Sequence, residues 1–180
     1  MKKESSIIFS ADMIKATLQR RMTEVRIPCR NRSSKWRLPY KNGDRIWVKE
    51  AFSDQFDNLP VIYRAGFDFS EYVKWKEPSR MPRELSRITL EVIDVRIERL
   101  QTIDSVSAMS SGIVNEYHEV GGRVLFAGFY NYQYNHTNGL EPYFVNPIDS
   151  YRSFWNSTYG RNFPWKSNPY VYLIKFKATI

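Results

Sequence analysis

Between residues 88 and 100 apolar and polar side chains alternate, and this constrains the chain more than any other feature. Ile88, Leu90 and Val92 share one face, and Val95 and Ile97 continue it after a slip of phase at Ile93-Asp94. A period of two marks a half-buried strand, and a one-residue slip marks a bulge. A second such stretch spans 170–177, with Tyr170, Tyr172, Ile174 and Phe176 facing one way and Val171, Leu173, Lys175 and Lys177 the other. Long strands of this kind need neighbours. Residues 45–52, entered through the Asn42-Gly43-Asp44 turn, supply one, and 59–64, closed by Gly66, a shorter one.

Helical spacing appears in three places. Ser10 can cap a helix over 11–21, where Met13, Ile14, Thr17 and Leu18 fall on one side. A short helix over 104–109 has Thr102 or Asp104 as its cap and Gly112 at its end, and 151–159 forms a third, stopped by Gly160. From Thr23 through Pro28 and Pro39 the pattern reads as polar and irregular, and 71–82 as a charged surface loop. With no repeating βαβ unit, these elements predict an α+β fold: a small mixed β-barrel flanked by short helices rather than a doubly wound parallel sheet. One domain covers 1–180, with an aromatic and Asn-rich insertion at about 114–150 that could be a strand pair, a lid or a partner surface.

Composition narrows the class. Hydrophobic residues make up 42% and aromatics 16%, enough for a packed core and too much for a disordered tail. Cys29 is the single cysteine, so an internal disulfide and a multi-thiolate zinc site are both excluded, and a reducing cytosol fits best. Lys2 and Lys3 are followed by too short an apolar run for a secretory signal. The longest apolar stretch, 124–130, contains Gly128 and falls far short of the roughly 20 residues of a membrane span. The expectation is a soluble cytoplasmic protein.

The net charge is +8, which suits a polyanionic partner or simply a solvated surface. Its distribution is uneven. Between residues 20 and 37 the cations Arg20, Arg21, Arg26, Arg30, Arg32, Lys35 and Arg37 meet one acid, Glu24, whereas 114–150 is nearly neutral.

Several strings together resemble the ASCH domain, a member of the PUA-like β-barrel superfamily, and most of all the version carried by bacteriophages and prophages. They are Ile7-Ile8-Phe9-Ser10-Ala11 with Met13, Arg21-Met22-Thr23, and Gly43-Asp44-Arg45-Ile46-Trp47-Val48-Lys49-Glu50-Ala51. Met81-Pro82-Arg83, Ser86-Arg87-Ile88, Arg99-Leu100-Gln101 with Ile103, Gly112-Ile113, Phe154-Trp155 and Asn168-Pro169-Tyr170-Val171-Tyr172 continue the match. Only 114–150 lacks a counterpart. The resemblance implies a barrel whose cleft recognises RNA, modified bases or nucleosides, and a bacterial host cytoplasm if the chain is phage-encoded.

One branch of that family deacylates N4-acetylcytidine with a Lys, a Thr nucleophile and a Glu. The corresponding positions here read Met22, Val25 and Ser111, so the resemblance does not carry the chemistry over. Thr23 with Glu24 is a weak substitute, since neighbours in a strand point to opposite faces. His118 and His136 have no cysteine or carboxylate at ligand spacing, and no phosphate loop or nucleophile elbow occurs, so neither a metal nor a cofactor is expected.

The barrel implied by the resemblance brings Arg21, Arg26, Lys49, Arg80, Arg83 and Arg87 around one cleft, where guanidinium groups can grip phosphate or pair with acids such as Glu50 or Glu84. Glu50 can accept from a base amino group or hold Arg83 or Arg87. Tyr63, Trp75 and Trp165 are candidates to stack on a base, Trp47 reads as structural, and Thr23 completes the set. The leading expectation is binding of nucleic acid, RNA before DNA, or of a nucleotide, without catalysis. The alternatives are a hydrolase with a rearranged catalytic set, either amidohydrolase-like or a ribonuclease, and a phage accessory protein that meets a protein partner through Tyr130, Tyr132 and Tyr134.

Overall fold

A computed structural model describes residues 4–30, 38–56, 60–67 and 72–180. Lys2, Lys3, Arg32, Lys35, Arg37, Leu59 and Glu71, each used above, lie outside those residues. The chain runs β1 (Glu4–Ile8), α1 (Ala11–Leu18), β2 (Glu24–Pro28), β3 (Arg45–Lys49), β4 (Phe52–Ser53), β5 (Ile62–Tyr63), β6 (Thr89–Arg99) and α2 (Ser105–Ser110). It continues through β7 (Asn115–Val120), β8 (Arg123–Tyr130), β9 (Tyr143–Phe144), α3 (Pro147–Tyr159) and β10 (Tyr170–Thr179).

Five strands form a mixed sheet in the order β1-β3-β6-β10-β2, parallel between β1 and β3 and antiparallel elsewhere. The fold is α+β, but the sheet stays open. Its edges, β1 and β2, are not joined to each other as a closed barrel requires.

The predicted bulge is present. Lys175 lies opposite Asp94 and Phe176 opposite Val92, leaving Ile93 unmatched. The extra residue returns Val95 and Ile97 to the face of Leu90 and Val92, where the core of Phe9, Ile14, Ile46, Val48, Ile174 and Phe176 lies with α1. A second core on the other face joins Leu100, Ile103, Ala108 and Val171 to Tyr151 and Trp155 of α3. Val171, Leu173, Ile174 and Phe176 are therefore all buried, because β10 is a central strand covered on both faces.

Caps set the helix limits. Ser10 accepts from the Met13 N–H at 3.3 Å and starts α1, which ends three residues earlier than its pattern suggested, before Arg20 at φ 59°. Asp104 caps α2. Helix α3 begins four residues ahead of the expected Tyr151, because Asn146 caps it and Pro147 fits the first turn. Gly112, at φ +81°, closes α2 where an added Cβ would sit 3.0 Å from the Ala16 Cβ, so only glycine lets this turn press against α1.

Four segments differ in detail from these expectations. The stretch read as irregular contains β2, whose alternation covers only Glu24 to Ile27 before Pro28, and whose Glu24 and Arg26 are buried rather than solvated. The expected strand over 45–52 breaks at Glu50 into β3 and β4, and among the described residues of 59–64 only Ile62–Tyr63 pairs, with Phe52–Ser53. The surface loop at 71–82 carries a β-bridge from Lys76 to Phe52 and a 3-10 turn at Pro78–Arg80. The insertion is a three-stranded sheet, β7-β8-β9. Among the described residues no helix is long and apolar enough to cross a membrane.

Candidate functional site

Strand β3 alternates, sending Ile46 and Val48 into the core while Trp47 and Lys49 stay half-exposed on the other side. Lys49 Nζ lies 4.9 Å from the Trp47 ring centre and donates to the Ser79 carbonyl at 3.1 Å. The Arg83 guanidinium is 5.8 Å from the same ring, and its Nη2 donates to Thr89 Oγ1 at 3.4 Å. Arg80 is exposed in its 3-10 turn.

Glu50 follows directly, where the chain turns from β3 into β4. It is 3% exposed, and Arg87 grips both its oxygens, Nε to Oε1 at 2.8 Å and Nη2 to Oε2 at 2.9 Å. The same guanidinium stands 4.3 Å from the centre of the Tyr63 ring. Tyr63 donates to the Leu85 carbonyl at 2.8 Å, and burial pushes its phenol above the usual value although Arg87 opposes that shift. Of the predicted residues, Lys49 and Arg83 thus meet at Trp47, and Glu50, Arg87 and Tyr63 meet in a second group, in which Arg87 is occupied by Glu50.

Two cavities flank this ion pair. Glu50 lines one of about 420 Å³ with Phe9, Ser10 and Asp12 at the start of α1, Arg64, Trp75 and Lys76. The indole N–H of Trp75 is buried and has no hydrogen-bond partner. Lys76 holds Asp54 at 2.6 Å and draws its carboxyl below the ordinary range. Arg87 lines the other cavity, about 600 Å³ and mostly apolar, with Ile62, Tyr63, Phe67, Tyr72 and Val73. Phe9, Ser10, Asp12, Arg64 and Lys76 were not anticipated. They come from three separate segments and only the fold brings them together.

The remaining predicted residues lie elsewhere. Trp47 is paired with Thr89 of β6, whereas Arg26 is paired with Leu173 and, through it, with Arg96. Seven residues of strand separate the two, roughly 20 Å, so the single basic cleft divides into two regions. Arg26 is 3% exposed and binds Glu24 at 2.7 Å, Glu98 at 3.0 Å and Ser111 Oγ at 3.3 Å. Burial alone would lower its pKa, but Tyr151, Glu24 and Glu98 outweigh that and hold it raised. Arg26 is thus held inside the protein as a buried, ion-paired cation.

Arg21 is exposed, donating to Gln19 Oε1 at 2.9 Å and the Ile113 carbonyl at 3.3 Å. Thr23 lines a groove beside α2. Trp165 packs 6.3 Å from Tyr151, and its carbonyl accepts from Gln101 at 2.8 Å, so its ring serves the second core. Met22 and Val25 belong to the first core, and Ser111 is buried with Arg26. Tyr132 of the insertion packs against Phe154 at 5.2 Å and accepts from the Val114 N–H, so it holds the insertion to the body instead of offering a free surface. His118 lies beside Tyr143 and His136 beside Tyr134, and no group of three or more potential metal ligands occurs among the described residues. No protein-family model, curated protein or solved structure matches the chain.

Proposed function

We propose that the protein binds a nucleotide or nucleic acid, RNA before DNA, by seating one base in the cavity beside Glu50, and that it does so without catalysis. One observation carries this reading: a carboxylate immobilised by two bonds from Arg87 lines the same small cavity as Trp75, a residue whose indole N–H is buried without an acceptor. A base edge offers the matching donor and acceptor, and a lodged ligand would meet the polar groups that are costly to leave unmade. The volume suits a small ligand. Lys49, Arg80 and Arg83, on the neighbouring surface, supply charge for a phosphate.

An ASCH-type chain with a PUA-like barrel opened at one seam is the architecture we infer, supported by the order of the matched strings and by the mixed sheet with α1 against one face. The test is a titration of the purified protein with nucleoside monophosphates, read by calorimetry and by tryptophan emission. Glu50→Gln keeps the shape of the cavity but removes the charge. It weakens binding at least tenfold while the thermal midpoint records whether the fold holds, and Trp75→Phe removes the emission change. Equal affinity in wild type and both variants would overturn the proposal.

A further inference from the structure

Helix α2 does not cover the whole outer face of the sheet, and beside it lies a groove of about 590 Å³ that the base-binding reading leaves unused. Its apolar surface comes from Ile93, 51% exposed, and Val106, 67% exposed, while Met22 and Phe176 also line it but are buried in the first core. Around it stand four cations from three parts of the fold: Arg20 after α1, Arg96 on β6, and Lys175 and Lys177 on β10.

The carboxylates lining the groove are already engaged. Glu24 is buried against Arg26 at 2.7 Å, and Asp104 accepts from the Ser107 N–H at 2.7 Å. Lys175 is 4.0 Å from Glu24, and Arg96 only 3.5 Å from Glu98 at an exposed site, where such a pair is weak. Arg20 and Lys177 make no ion pair with any described residue, and neither Asp94 nor Glu91, their strand neighbours across β6, closes on Lys175 or Lys177. Arg20 holds a left-handed backbone at φ 59°, a conformation that disfavours every residue but glycine, and the chain keeps an arginine there.

We infer that this groove binds the sugar–phosphate backbone of single-stranded nucleic acid, independently of base identity. Lys175 and Lys177 point the same way from one strand about 6.6 Å apart, close to the step between successive phosphates. The apolar surface between the cations accepts sugars and the flat faces of bases. A concave groove cannot lie flush on a bilayer, and a duplex is too wide to enter it. The site is separate from the cavity beside Glu50, and neither requires the other.

Fluorescence anisotropy with a labelled single-stranded oligonucleotide tests this, with an abasic deoxyribose-phosphate oligomer and poly-glutamate as further probes. The double variant Lys175→Gln/Lys177→Gln binds the oligonucleotide at least tenfold more weakly, and its log-log salt slope falls by about 0.7 for each cation removed. Arg20→Gly weakens binding severalfold while the thermal midpoint stays level or rises, because the strain is relieved. The abasic oligomer binds the wild type within a fewfold of the oligonucleotide. Mononucleotide binding at Glu50 is unchanged in all these variants, so failure of the base cavity would appear separately, as Glu50→Gln without effect. Undiminished oligonucleotide binding by the double variant would overturn the inference, as would tighter binding of poly-glutamate or loss of binding to the abasic oligomer.

Discussion

Arg26, Arg87 and Arg20 are the same residue type in three different employments, and nothing in their sequence neighbourhoods separates them. Arg26 neutralises Glu24 and Glu98 inside the protein, Arg87 splints Glu50, and Arg20 faces solvent. What distinguishes them is burial, which is decided by strands far away in sequence. Sequence could nominate Glu50 because a carboxylate set among Val48, Ala51 and Phe52 has to find a partner, but it could not choose between Arg83 and Arg87. Removing Arg26 leaves the buried Glu24 carboxylate uncompensated, so Arg26→Ala lowers stability by about 3–5 kcal/mol. The apolar pair Arg26→Met with Glu24→Leu recovers most of that loss in urea unfolding. Loss of nucleotide binding without loss of stability in Arg26→Ala would mean that it contacts ligand after all.

Among the elements, β6 was legible in detail because hydrophobic phase survives a bulge, whereas β2 was not, because its alternation runs only from Glu24 to Ile27 before Pro28, too short a period to stand out from its charged surroundings. The start of α3 was written in Asn146-Pro147 but masked by the aromatic run before it. The bulge gives a sharp test. Deleting Ile93 leaves every other β6 residue opposite its present β10 partner and on its present face, so the variant folds cooperatively within about 1 kcal/mol of wild type. Deleting Glu91 keeps Val92 against Phe176 but turns Leu90 and Ile88 outward, at about 2–5 kcal/mol for each. Equal effects of the two deletions in thermal melts would contradict this register.

For the molecule as a whole, the α+β class followed from the elements, while the openness of the sheet did not, since alternation along a strand is blind to whether its outer edges meet. The second core is built from aromatics, and this gives the fold an alkaline limit. Burial holds the phenols of Tyr132 and Tyr151 far above their ordinary range and raises Tyr159 as well. Tyrosines of the unfolded chain release protons near pH 10 that the folded state retains, so stability falls as pH rises beyond about 10. The thermal midpoint should hold steady below that pH and then drop, with part of the tyrosinate absorbance appearing only on unfolding. Complete titration of all tyrosines in a still-folded protein would refute it.

The strand order also governs how the molecule comes into being on the ribosome. β2 is joined to the sheet only through β10, and β6 shares its longest ladder with β10, so the sheet's keystone is synthesised after everything it supports. Until residues 170–179 clear the exit tunnel, β2 has no hydrogen-bonding neighbour and both cores lack their shared wall. Such dependence on contacts remote in sequence makes folding slow, and leaves the nascent chain in need of shelter while its apolar faces wait.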